Sequence, residues 1–174
     1  MDQLPPGLSV ERHALLEGRE RHPWHRRALM TLVALIPLLA LFNVFGQAPS
    51  TDARAGAEGR MSVQAPERVR GGLMFQARFD VVATTDIKAP QIVLGPGWWE
   101  QMTENSVNPQ PTASSTSNGR VTLSYGRLNA GQKLTVWIEF QVNPANLGPQ
   151  ETNALLTDGD KPIAQINRSV TVLP

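Results

Sequence analysis

Leu73 to Ala83 reads LMFQARFDVVA. Leu73, Phe75, Ala77, Phe79 and Val81 fall on one side of an extended chain, and Gln76, Arg78 and Asp80 on the other. Side chains alternate across a strand, so one apolar side and one polar side predict a half-buried β-strand. Lys133 to Asn143, KLTVWIEFQVN, repeats the pattern. There Leu134, Val136, Ile138, Phe140 and Val142 should face a core, while Lys133, Thr135, Trp137, Glu139 and Gln141 face outward.

Shorter apolar runs surround these two. Met61 to Ala65, Gln91 to Leu94, Arg120 to Tyr125, Asn153 to Thr157 and Ile163 to Val172 are further strand candidates. Asn118-Gly119 and Asp158-Gly159-Asp160 are turn signals, because Gly, Asn and Asp tolerate the backbone that tight turns need. The predicted fold class is all-β. About seven strands with turns between them and no helix suggest an immunoglobulin-like two-sheet sandwich over residues 61–174.

Upstream the pattern changes. Ala28 to Phe45, ALMTLVALIPLLALFNVF, carries no charge, and Thr31 and Asn43 are its clearest polar members. Its 18 residues at about 1.5 Å rise span roughly 27 Å, close to the bilayer core of about 30 Å. Pro37 lies mid-segment, which spanning helices tolerate. Residues 28–45 are therefore read as a transmembrane helix, with the lipid bilayer as its partner. Arg12, Arg19, Arg21, Arg26 and Arg27 precede it, whereas only Arg54 and Arg60 follow within twenty residues. The excess of positive charge places the N-terminus in the cytoplasm and the C-terminal domain outside, at the plasma membrane. Trp24, Arg26 and Arg27 are the expected membrane-interface anchors. A cleaved signal peptide fits less well, since the apolar core is long and Gly46-Gln47-Ala48 is followed by Pro49.

Residues 1–27 form the expected cytoplasmic tail. Val10, Ala14, Leu15 and Leu16 allow one or two amphipathic turns, and Pro23 should break any helix before the membrane. All three histidines, His13, His22 and His25, lie in this tail. Residues 46–60, GQAPSTDARAGAEGR, are small and polar and read as a flexible tether. Met102 to Gly119, MTENSVNPQPTASSTSNG, reads as a long, disordered loop.

Composition excludes several functions. The formal net charge is +1, unlike the concentrated basic surface of a nucleic-acid binder. There is no cysteine, so disulfides, thiolate metal sites and cysteine nucleophiles are ruled out. With every histidine in the tail, the outer domain cannot build a serine triad or a histidine zinc site. No cofactor or metal is implied. Glu100 and Glu104 could in principle serve a glycosidase, and Asp158 with Asp160 could help hold calcium, but a turn explains the latter pair more simply.

Tyr125-Gly-Arg-Leu-Asn-Ala-Gly131, followed by the alternating run 133–143, resembles the Leu-x-x-Gly corner of bacterial Ig-like and fibronectin-type modules, with Leu128 and Gly131 matching. The resemblance covers about twenty residues. It is similar to bacterial single-pass membrane proteins carrying one Ig-like or fibronectin-like domain outside the cell. It implies an Ig-like sandwich fold and no particular activity.

Trp98, Trp99 and Trp137 are the candidate partner-binding residues, because tryptophan joins large apolar area to a polar N–H. In Gly95-Pro-Gly-Trp-Trp-Glu100 the adjacent rings would face opposite ways if extended, or one would plug an end of the sandwich. The expected function is a membrane-anchored, non-enzymatic accessory protein of the cell envelope. Its outer domain would bind an envelope or membrane protein, or assemble with itself. The alternatives are a cell-wall glycan-binding module and, last, a carboxylate-based envelope hydrolase.

Overall fold

The structure, a computed structural model, describes residues 23–42, 47–100 and 102–174. The chain forms two units, residues 1–45 and 46–174. His13, His22 and the amphipathic turns expected around residues 10–16 lie outside the described residues.

Helix α1 runs Pro23–Leu41. Its segment Trp24–Leu41 is long and apolar enough to cross a membrane, and none of it is buried by protein. The helix starts earlier than residue 28, because Pro23 opens it rather than halting it before the apolar run. A fixed φ and a missing N–H suit proline to the first helical position. Trp24 and His25 therefore sit on the helix, their ring centroids 3.5 Å apart.

Among the described residues the second unit holds thirteen strands. They are β1 (Pro49–Ala55), β2 (Gly59–Pro66), β3 (Arg68–Arg70), β4 (Met74–Ala83), β5 (Pro90–Leu94), β6 (Met102–Asn108), β7 (Ala113–Ser117), β8 (Arg120–Ser124), β9 (Lys133–Val142), β10 (Gly148–Glu151), β11 (Ala154–Asp158), β12 (Lys161–Ile166) and β13 (Ser169–Leu173). Two five-stranded antiparallel sheets, ordered β1-β2-β4-β9-β6 and β12-β11-β5-β8-β7, make the sandwich. A smaller sheet, β10-β13-β3, adds a parallel pairing, β13 with β3.

The two diagnostic runs are central neighbours in the first sheet. β4 and β9 pair antiparallel, with Phe75 opposite Phe140, Ala77 opposite Ile138 and Phe79 opposite Val136. These side chains are buried with Ile92, Leu94, Leu123 and Leu156 from the second sheet. Each large apolar side chain so buried contributes about 1.5–3 kcal/mol. Leu73 departs from the expected phase. It precedes the first residue of β4, beside the Gly71-Gly72 turn, and is 49% exposed.

Three expectations are corrected. Residues 46–60 are not a tether throughout: β1 pairs along its whole length with β2, from Pro49 opposite Pro66 to Ala55 opposite Arg60. β1 has no large apolar side chain, so a backbone ladder holds it that an apolar count does not detect. After it, Gly56 lies so close to β12 that a Cβ would fall 1.9 Å from the Ile163 carbonyl oxygen. Residues 102–119 likewise form β6 and β7, both with mostly exposed side chains. Ile163 to Val172 is not one strand. It breaks at Asn167-Arg168, where the chain leaves the second sheet for the third and Arg168 turns into the interior.

Candidate functional site

Trp137 stands on β9, directly opposite Arg78 on β4. Its neighbours Val136 and Ile138 point into the core, so period-two geometry sends the indole to the outer side of the first sheet, where it is half-buried. The Arg78 guanidinium carbon lies 5.0 Å from the ring centroid, over the indole. That is a cation–π arrangement, in which the electron-rich ring face attracts the charge.

A charged lattice fixes Arg78. Its Nη2 donates to Asp80 Oδ2 at 2.9 Å, and Lys133 Nζ reaches Asp80 Oδ1 at 3.1 Å. Thr135 Oγ1 donates to the same Oδ1 at 2.6 Å. Partial burial alone would raise the Asp80 carboxyl, but the hydrogen bonds from Thr135, Lys133 and Arg78 outweigh it and hold the carboxyl below its ordinary 3.8. On the other side of Trp137, Ser106 Oγ donates to Glu139 Oε2 at 3.4 Å. Gln76 and Gln141 are exposed on the same side. The result is a mainly polar sheet face, with Met74 and Val82 also exposed on it, around one half-buried tryptophan with an arginine held over its ring.

Of the other two candidates, Trp98 leaves the surface and Trp99 stays half-buried. Trp98 is fully buried, stacked on Phe140 at 5.2 Å and edge-on to Phe79 at 5.4 Å. Its Nε1 donates to the Asn153 carbonyl oxygen at 3.1 Å. Trp99 is half-buried and also meets Phe140 edge-on, at 5.6 Å. The reason is local. Pro96–Trp98 form a 3-10 turn, which rotates successive side chains by about 120° rather than 180°, so both rings can reach one core phenylalanine. Trp98 is thus the plug at the end of the sandwich and cannot be a surface anchor.

The carboxylate candidates are separated by environment. Burial raises the Glu104 carboxyl, and burial together with the Glu104 charge pushes the Tyr125 hydroxyl up to about 12. Glu100 is exposed. Asp158 closes a hairpin, its Oδ1 accepting the Ala89 N–H at 2.6 Å. Among the described residues no group of three His, Cys, Asp or Glu is placed to hold a metal ion.

Arg168, which the sequence shows only as the middle of Asn-Arg-Ser, proves to be a structural cation. Its side chain is 3% exposed. Nη2 donates to the carbonyl oxygens of Ala65 at 2.9 Å and Pro66 at 3.3 Å, and Nε lies 3.8 Å from Asp52 Oδ2. Burial lowers its pKa against the opposing pull of Asp52 and Glu67. It ties β1, the end of β2 and β13 together. A small hollow of about 140 Å³ lies on the second sheet beside Val93, Gly95, Pro96 and Arg120. A broader, open depression of about 560 Å³ lies beside Glu151, Asn153, Gln165, Asn167, Arg168 and Ser169.

The fold has distant structural likenesses. The solution structure of CaCohA2 from Clostridium acetobutylicum aligns at TM-score 0.44 and 14% identity, over 60% of this chain and 84% of that one. A non-cellulosomal cohesin from the archaeon Archaeoglobus fulgidus aligns at 0.41 and 10%, over 72% and 92%. A β-glucosidase from Listeria innocua aligns at 0.37 and 14%, over 72% of this chain but 16% of the enzyme. No protein-family model and no curated protein matches the sequence. Likenesses this low assign no activity and no partner.

Proposed function

We propose that this chain is a non-enzymatic accessory protein of the cell envelope. Residues 24–41 anchor it in the membrane with the N-terminus cytoplasmic, and its sandwich domain outside binds a protein partner. The observation that carries the binding reading is Trp137 with Arg78 over its ring, on an outer sheet face that mixes polar side chains with the exposed Met74 and Val82. Tryptophan and arginine are enriched among the residues that dominate the energetics of protein interfaces, tryptophan because it brings a large, rigid contact area. Here Arg78 is already held by Asp80, so less conformational entropy is lost on binding. The excess of arginine before α1 supports the orientation.

The test is in-cell crosslinking of the tagged full-length chain, followed by purification in mild detergent. A stoichiometric envelope protein is expected with the wild type and absent with Trp137→Ala. The substitution should lower domain stability by only about 1 kcal/mol, since it removes a half-buried ring and one cation–π contact. Equal recovery of the partner with both proteins would refute this face as the binding surface.

A further inference from the structure

The two large sheets end in four outer strands, β1 and β6 in one and β12 and β7 in the other. An outer strand shows a row of unpaired N–H and C=O groups, and proteins guard such edges with charge, proline, bulges or cover. Three of the four are guarded. β1 carries Asp52 and Arg54, with Asp52 drawn toward Arg168. β6 carries Glu104 and a register break between Glu104 and Ser106. β12 opens Lys161-Pro162 and has a register break opposite Leu156 and Thr157.

β7 has none of these devices. It reads Ala-Ser-Ser-Thr-Ser, every residue is exposed, and its register with β8 is unbroken from Ala113–Ser124 to Ser117–Arg120. In such a ladder every second residue turns its N–H and C=O away from the partner strand. Among the described residues, no strand pairs with β7 on that side.

We propose that the β7 edge pairs with the β7 edge of a second copy, antiparallel about a two-fold axis through Ser115. The two β12-β11-β5-β8-β7 sheets then become one continuous sheet. The strand's composition selects this occupant. On a two-fold axis each residue meets a residue of the same short strand, so any charge near the centre would oppose its own copy. With Ser115 opposite Ser115, the remaining pairs are Ala113 with Ser117 and Ser114 with Thr116. Every pair is small and neutral, and facing hydroxyls can hydrogen-bond. Confinement of copies to one membrane by the proposed anchor raises their effective concentration, which suits so short an edge.

The cysteine-free chain makes the test direct. Paired Cα atoms in an antiparallel ladder lie about 4.5–5.5 Å apart, within the range a disulfide spans. In native membranes under mild oxidation, full-length Ser115→Cys should give a disulfide-linked dimer. Asp160→Cys, at the exposed β11–β12 hairpin tip, should not. Without oxidant, wild-type full-length chain in mild detergent should run as a dimer. Ser115→Lys or Ser115→Asp alone should run as monomers, and co-expression of those two variants should restore a mixed dimer. Ser115 is exposed, so these changes leave folding intact. Crosslinking of Ser115→Cys no faster than Asp160→Cys, or an unchanged assembly in Ser115→Lys, would overturn the proposal. Partner capture through Trp137 is read separately and stands or falls on its own.

Discussion

At the scale of single residues, tryptophans of the same chain divide by backbone setting. Trp98 is held on a 3-10 turn against Phe79 and Phe140, with its N–H bonded to Asn153, and it fills the end of the core. Trp98→Ala should lower the unfolding free energy of the domain by about 3–5 kcal/mol, read as a reduced urea midpoint. Asp80 offers a second prediction. Its folded pKa lies below 3.8, so its contribution to stability is fully present above that value and is lost as pH falls through the lower folded value. Acid titration of unfolding below about pH 4 should therefore be steeper for the wild type than for Asp80→Asn. Matching slopes would mean that the lattice around Arg78 adds nothing to the acid response.

At the scale of elements, the β4–β9 pair organises the domain, and less conspicuous contacts complete it. The turn before Trp99 packs against β10 so closely that a Cβ on Gly97 would lie 2.3 Å from the Glu151 carbonyl oxygen. Gly97→Ala must push β10 away and should cost about 1–3 kcal/mol in thermal or urea unfolding. Gly126→Ala is the matched control, because its added methyl meets nothing within 4 Å and should change stability by less than about 0.5 kcal/mol. The corner that resembles Ig-like modules has a clear physical basis. Ile87 and Leu128 bridge the two segments, and Gly131, at φ +82°, donates its N–H to the Ala83 carbonyl oxygen at 2.8 Å. Asp86 locks it by accepting the Ala130 N–H at 2.9 Å and pairing with Arg127. Those bonds, first the Ala130 N–H and then Arg127, keep the exposed Asp86 carboxyl below its usual range against the opposing effect of desolvation.

At the scale of the whole molecule, the proposed function depends on the proposed membrane anchor and its orientation. The proposed topology is tested with single cysteines in the cysteine-free chain. In intact cells, Asp160→Cys should react with a membrane-impermeant maleimide, whereas Ser9→Cys should react only after the membrane is opened. The reverse pattern would invert the proposed orientation and place the Trp137 face in the cytoplasm.

The sequence by itself determined the all-β class, the apolar helix and the inward face of β4 and β9, because each rests on a periodicity of large apolar residues that local geometry must obey. It also determined both hairpin turns, where Asn118, Gly119 and Gly159 adopt positive φ. Strands without that periodicity were not legible. β1 and β7 exist because a neighbouring backbone satisfies their hydrogen bonds, and that neighbour is specified elsewhere in the chain. Trp137 was legible as outward-facing from its phase on β9, but its pairing with Arg78 follows from register, a relation between positions 59 apart in the chain. Trp98 was sent inward by a turn whose rotation no alternation rule describes. Arg168 became a buried strut only because two sheets meet around it. Local side-chain pattern selected the elements, and long-range pairing decided which surfaces remained open for use.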